Sequence, residues 1–124
     1  MSDDQETIGD LRRLLAQFIE ERAWEPFHTP KNLSMALAIE AAELMEHFQW
    51  LEPAEAIELA RDPARRAAVA EELADVVCYA LALTNALGIE LGQAIRDKMV
   101  KNALKYPADQ YRGRWGAGDQ RPLK

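Results

Sequence analysis

Along residues 7–23 the apolar positions recur at helical spacing. Ile8, Leu11, Leu14, Leu15, Phe18 and Ile19 fall on one side with Arg and Glu between them, which predicts an amphipathic first helix. The acidic and polar residues ahead of it suit a helix N-terminus. The stretch Trp24-Glu25-Pro26-Phe27-His28-Thr29-Pro30 then breaks the period with two prolines and gathers aromatic rings in a loop, where Phe27 is expected to turn into the core. A long second helix is predicted over residues 31–51, ending before Pro53. A short helix over 54–60 follows, closed by Arg61-Asp62-Pro63. The most apolar helix is expected over 64–87 with Gly88 as its stop, and a last helix over 90–105, before Pro107. No useful length of strand alternation and no solenoid repeat interrupts this series, so the pattern predicts an all-α fold with a four-helix core.

Two acidic motifs disturb the apolar stripes. They are Glu40-Ala41-Ala42-Glu43 and Glu72-Leu73-Ala74-Asp75. With Glu40 as the zero of a helical wheel, Leu33 and Leu51 lie within about 20°, Leu44 at about 40°, and Leu37 and Glu43 at about 60° on opposite sides. Leu83, Val76, Ala68 and Leu87 surround Glu72 within about 60° in the same way, whereas Glu71 is about 100° off and reads as solvated. Residues three apart share a helix face, so each pair can serve one ion.

A carboxylate withdrawn from water without a partner costs several kcal/mol, and two held close together stay ionised only if positive charge compensates them. A divalent cation does this for all four. The donors are oxygens, without Cys and without an obligatory His, which favours Mg²⁺, or Mn²⁺ as a substitute, over Zn²⁺ or copper. Mg²⁺ commonly shares its shell with substrate phosphates, which directs attention to nucleotide or phosphate-ester chemistry.

Composition narrows the classes. A chain of 124 residues is expected to form one domain, small enough for subunit association to help it. The formal charge of −6 argues against a nucleic-acid surface, so an anionic substrate needs the cation and local Lys or Arg. The single Cys78 sits in Val76-Val77-Cys78-Tyr79-Ala80-Leu81 and reads as a small buried apolar group. Without a signal-like start or an apolar run of membrane-spanning length, a cytoplasmic protein with no membrane association is expected.

The last helix carries Lys98, Asn102 and Lys105 along the stripe begun by Leu91 and Ile95, where they could reach phosphate and sugar. A solvated helix end, with lysines favoured by the helix dipole, explains the same residues without a ligand. Trp24, His28 and Trp50 offer flat surfaces suited to stacking on a base. His47 shares the face of Glu43 but reads as a packing residue rather than a ligand. A di-iron carboxylate bundle would want Glu-x-x-His on two helices, and neither acidic motif has that form.

Taken together the residues resemble the MazG-like superfamily of all-α nucleoside triphosphate pyrophosphohydrolases, and within it the dCTP pyrophosphatase branch. The resemblance runs over roughly residues 7–107 and is carried by the two acidic motifs, Trp24, Phe27-His28-Thr29-Pro30-Lys31-Asn32-Leu33, Phe48-Gln49-Trp50, Asp75-Val76-Val77-Cys78-Tyr79, Lys98-Met99, and Asn102 with Lys105-Tyr106-Pro107. It implies Mg²⁺-dependent cleavage of a nucleoside triphosphate between the α and β phosphates, giving monophosphate and pyrophosphate. Glu40, Glu43, Glu72 and Asp75 would be metal ligands, with one glutamate serving to activate water. Lys98, Asn102, Lys105 and Tyr106 would clamp phosphates and sugar, and Trp24, His28, Asn32, Trp50 and Tyr79 would shape the base and deoxyribose pocket.

The resemblance further implies a homotetramer; the domain is expected over residues 1–107, and the polar, glycine-rich composition of the segment over 108–124 marks it as a tail that is flexible or drapes on a neighbouring subunit. The expected substrate is dCTP or a modified dCTP in a nucleotide-pool house-cleaning role. The alternatives are a dUTP or broad-specificity pyrophosphatase, and a non-catalytic metal-binding helical interaction module.

Overall fold

The computed structural model describes residues 2–116 and 118 and, among them, contains helices and turns without strands. The expected all-α class is what the chain adopts. It divides into two compact units, Met1–Gly88 and Ile89–Lys124.

In the first unit, α1 (Ile8–Glu21) opens on a capping box. Thr7 Oγ1 accepts the Asp10 N–H at 3.1 Å and Asp10 Oδ2 accepts the Thr7 N–H at 2.9 Å, so two donors that a helix start leaves orphaned are satisfied. A 3-10 turn over Glu25–Phe27 leads to α2 (Pro30–Glu46). Thr29 caps α2 by accepting the Asn32 N–H at 3.3 Å, and Pro30 stands at the first helical position, where its missing N–H costs nothing. The tight turn leaves Phe27 67% exposed, against the expectation of a core position.

The second helix is shorter than its apolar stripe predicts. After Glu46 the chain passes into turns, with i to i+3 bonds from Phe48 N–H to Met45 O at 2.9 Å and from Leu51 N–H to Phe48 O at 3.0 Å. His47, Phe48 and Trp50 are weak helix formers, and the helix ends where they begin. Leu51 therefore leaves the wheel on which it was placed.

Helix α3 (Pro53–Glu58) and a 3-10 turn over Leu59–Arg61 carry the chain to α4 (Pro63–Leu87), the longest element. Asp62 Oδ1 accepts the N–H groups of Ala64 at 3.0 Å and Arg65 at 3.3 Å. Gly88 ends α4 in the left-handed region at φ 63°, a conformation that glycine adopts without strain.

Helix α2 packs along α4 as the main pairing, and α1 also packs on α4. Arg12 and Asn85 clasp α1 to α4: Arg12 Nε donates to Asn85 Oδ1 at 2.8 Å and Asn85 Nδ2 donates to the Arg12 carbonyl at 3.0 Å. The buried apolar residues are Leu33, Leu59, Leu81 and Ala82. Leu33 is only 2% exposed, and burial of such a side chain contributes about 2 kcal/mol. Thr84 is buried beside them and donates its hydroxyl to the Leu81 carbonyl at 2.6 Å.

The second unit holds α5 (Leu91–Lys105) and the short α6 (Ala108–Tyr111). Part of the segment expected to be a flexible or draping tail is thus a helical turn. Residues 117 and 119–124 of that segment lie outside the described residues. Among the described residues no single helix is long and apolar enough to cross a membrane.

Candidate active site

The pairing of α2 with α4 faces the two acidic motifs towards each other. One carboxylate oxygen from each of Glu40, Glu43 and Glu72 lies within 4.8 Å of the others. Glu40 and Glu72 are half-buried and Glu43 is exposed, so the group has a dry inner side and an open mouth. The Oε2 atoms of Glu40 and Glu72 are buried without a hydrogen-bond partner. A buried carboxylate oxygen without a donor is costly, which makes these two atoms the mark of a missing positive charge.

The electrostatics agree. Burial first, and then the neighbouring carboxyls of Glu43, Asp75 and Glu72, push Glu40 up to about 7 from its ordinary 4.5. Burial is also the main cause raising Glu72, followed by the charge of Glu43. A cation between these oxygens would reverse both effects. The donor set consists of carboxylate oxygens alone and fits a hard divalent ion; His47, half-buried at the C-cap of α2, is not part of the group.

Asp75, one turn beyond Glu72, is exposed and stands beside the group rather than within it, although its charge raises both Glu40 and Glu72. It also lines an adjoining cavity of about 440 Å³, together with Phe18, Trp24, His28, Cys78 and Tyr79. The acidic group and three of the rings singled out in the sequence, Trp24, His28 and Tyr79, are therefore joined through Asp75 in one unit.

The aromatic wall of this cavity is ordered. The rings of Trp24 and His28 stack with centroids 6.2 Å apart and planes 10° from parallel, and Phe18 meets Trp24 edge-on at 5.9 Å. His28 Nδ1 lies 2.9 Å from the Trp24 carbonyl oxygen, and since a carbonyl only accepts, Nδ1 carries the proton of that bond. In the neutral ring this leaves Nε2 as an acceptor. His28 also lines a second cavity of about 550 Å³, whose polar lining includes Glu20, Glu25, Thr29 and Asn85.

Not every residue chosen from sequence is at this cavity. Asn32 donates Nδ2 to the Phe27 carbonyl at 3.1 Å and so ties the aromatic loop to the start of α2. Trp50 is 87% exposed in the turns after α2 and does not line the cavity. In the second unit, Lys98 and Lys105 are exposed on α5. Asn102 accepts the Tyr106 N–H on its carbonyl at 2.8 Å, Lys105 Nζ lies 5.3 Å over the Tyr106 ring, and Tyr106 meets Tyr111 edge-on at 5.2 Å.

Sequence reasoning overlooked Phe18 and Cys78 as cavity residues. Phe18 reads as one more member of an amphipathic stripe, and nothing in its period separates a wall residue from a core residue. Cys78 reads as a small apolar residue; burial and the nearby Asp75 charge raise its thiol, so it behaves as one.

The MazG-like family model matches residues 35–116. Over 107 residues the chain is 46% identical to dCTP pyrophosphatase 1 of Rattus norvegicus, which covers 86% of this chain and 63% of the relative. It is 45% identical over 102 residues to dCTP pyrophosphatase 1 of Homo sapiens, covering 82% of this chain and 60% of the relative. The chain thus spans less than two thirds of the length of these relatives. A crystal structure of a pyrophosphatase from Archaeoglobus fulgidus superposes with a TM-score of 0.76 at 38% identity, covering 86% of this chain and 98% of the other. The chain belongs to the MazG-like family.

Proposed function

We propose that this protein is a Mg²⁺-dependent nucleotide pyrophosphohydrolase that converts a deoxynucleoside triphosphate, with dCTP or a modified dCTP favoured, to its monophosphate and pyrophosphate. The observation that carries the reading is the convergence of Glu40, Glu43 and Glu72 within 4.8 Å, with two buried oxygens left without donors. The preference for dCTP rests on the relatives named dCTP pyrophosphatase 1.

Glu40, Glu43, Glu72 and Asp75 would hold the ion, the three glutamates as the converged group and Asp75 from beside it. When bound, the ion supplies charge neutralisation for phosphate oxygens and makes water easier to ionise. One of the glutamates accepts a proton from the attacking water. Trp24 and His28 present a stacked pair against which a base can lie, and Tyr79 closes the same cavity. A cavity of about 440 Å³ is within the range of small-ligand pockets. Lys98, Asn102, Lys105 and Tyr106 stay the phosphate and sugar residues of the proposal, and Asn32 and Trp50 stay part of its base and deoxyribose set. The pyrophosphohydrolase domain is proposed to end near residue 107, and the active form to be a homotetramer. Exposed Met35 and Ile39 on α2, with Leu73 and Val77 on α4, give it apolar surface to bury.

Side-by-side turnover of dCTP, dUTP and dATP with Mg²⁺ tests the reading. Fastest release of dCMP and pyrophosphate from dCTP is the expected result. Faster turnover of dUTP, or of all three alike, would keep the chemistry and overturn the substrate. Mg²⁺ binding without hydrolysis of any triphosphate would favour the non-catalytic interaction module.

A further inference from the structure

Helix α1 ends in a conformation that its sequence does not advertise. Among the described residues Ala23 is the one non-glycine with positive φ, at 51°. A left-handed L-residue crowds its Cβ against the following carbonyl, a strain that glycine avoids, as Gly88 does at the end of α4. The strain is held in place by two bonds: the Ala23 N–H donates to the Glu20 carbonyl at 3.0 Å and the Trp24 N–H to the Ile19 carbonyl at 3.1 Å. This is the Schellman arrangement, with alanine where glycine is usual, and its apolar pair is Ile19 with Trp24. Both of those side chains line the aromatic cavity.

The reversal at Ala23 folds Trp24 back over the helix it has just left. There Trp24 meets Phe18 edge-on, stacks on His28 and offers its carbonyl to His28 Nδ1. Arg22, immediately before the reversal, seals the outer side: its guanidinium lies 3.7 Å over the Phe18 ring and Nη1 donates to the Phe18 carbonyl at 3.0 Å. The bond between the Trp24 carbonyl and His28 Nδ1 thus hangs on a backbone whose direction is set at residue 23. Strain retained beside a ligand cavity, where glycine would remove it, indicates that stiffness at this point has a use.

We infer that Ala23 is a positioning residue for the nucleotide pocket: its left-handed backbone fixes Trp24, and through Trp24 the His28 ring, in the orientation that receives a base. The inference rests on the proposed function for the identity of the ligand, while the positioning itself is a property of the empty protein.

The test replaces Ala23 in protein labelled with 5-fluorotryptophan, whose Trp24 resonance is assigned with Trp24→Phe. Ala23→Val places a β-branched residue where positive φ is most unfavourable, and Ala23→Asn places one that tolerates it. In Ala23→Val without nucleotide the Trp24 fluorine resonance should move, and with dCTP KM should rise about tenfold while kcat stays within about twofold. Ala23→Asn should restore both. An unmoved Trp24 resonance in Ala23→Val overturns the inference, as does a moved resonance with unchanged KM. A joint fall of kcat and thermal stability that Ala23→Asn does not rescue overturns it as well, since that is the mark of a merely structural role. If the unsubstituted protein hydrolyses no triphosphate, the proposed function fails instead, and the resonance read without nucleotide still decides the positioning.

Discussion

Glu40 on α2 and Glu72 on α4 approach across the main helix pairing of the fold, each with its Oε2 atom buried and without a donor. Two carboxylates so placed oppose each other's ionisation, and their cost falls on the main interface of the first unit. Stability and function are therefore coupled at a single point.

The coupling has a definite pH sign in metal-free protein. Glu40 titrates at about 7 when folded against an ordinary 4.5, so between these values the native state holds a proton that the unfolded state has released. The contribution is fully present below pH 4.5 and is lost as pH rises through about 7. Melting temperature in chelator should fall across that window, and Mg²⁺ should raise it most at the alkaline end. A flat profile in chelator would contradict the assignment.

Replacing Glu40 by glutamine removes the charge and keeps the shape. Glu40→Gln should raise the melting temperature of metal-free protein at pH 8 and abolish its rise on adding Mg²⁺. Turnover should drop by at least about 100-fold, the upper end of what losing even an outer-shell metal partner costs. A variant that keeps both the Mg²⁺ response and full turnover would remove Glu40 from the site.

Trp24→Ala deletes the ring that stacks on His28. Base stacking on an aromatic ring is worth about 1–3 kcal/mol, so KM for dCTP should rise by about 5- to 150-fold with kcat little changed. Equal KM values for variant and parent would show that the base lies elsewhere.

Core and surface should separate cleanly in denaturation. Leu33→Ala, at the most buried large side chain, should cost about 2–5 kcal/mol in urea unfolding. Trp50→Ala, at a side chain 87% exposed, should change stability by less than about 0.5 kcal/mol in the isolated subunit. A large loss at Trp50 would mean that the side chain is covered in solution, as a homotetramer could do.

Much of this was legible in the chain because periodicity reports burial and the acids violated it. Glu40 and Glu72 stood at the centres of apolar stripes, which is how two buried oxygens without donors look before the fold is known. The starts expected at residues 31 and 64 lie one residue inside α2 and α4, and the stop at Gly88 was legible because glycine takes the left-handed conformation without strain. The early end of α2 was not, since the stripe through Leu44 and Leu51 continues past the point where weak helix formers end the helix. Nor was the reversal at Ala23, where alanine occupies a conformation that only glycine advertises. Exposed Phe27 misled because an aromatic ring between prolines is equally consistent with a wall, a core or a surface.

The most direct test of the account follows dCTP by ³¹P NMR with the protein and Mg²⁺, before and after chelator. The account predicts that the three triphosphate signals give way to those of dCMP and pyrophosphate, and that chelator stops the conversion. Release of orthophosphate, or conversion that continues unchanged in chelator, would contradict it.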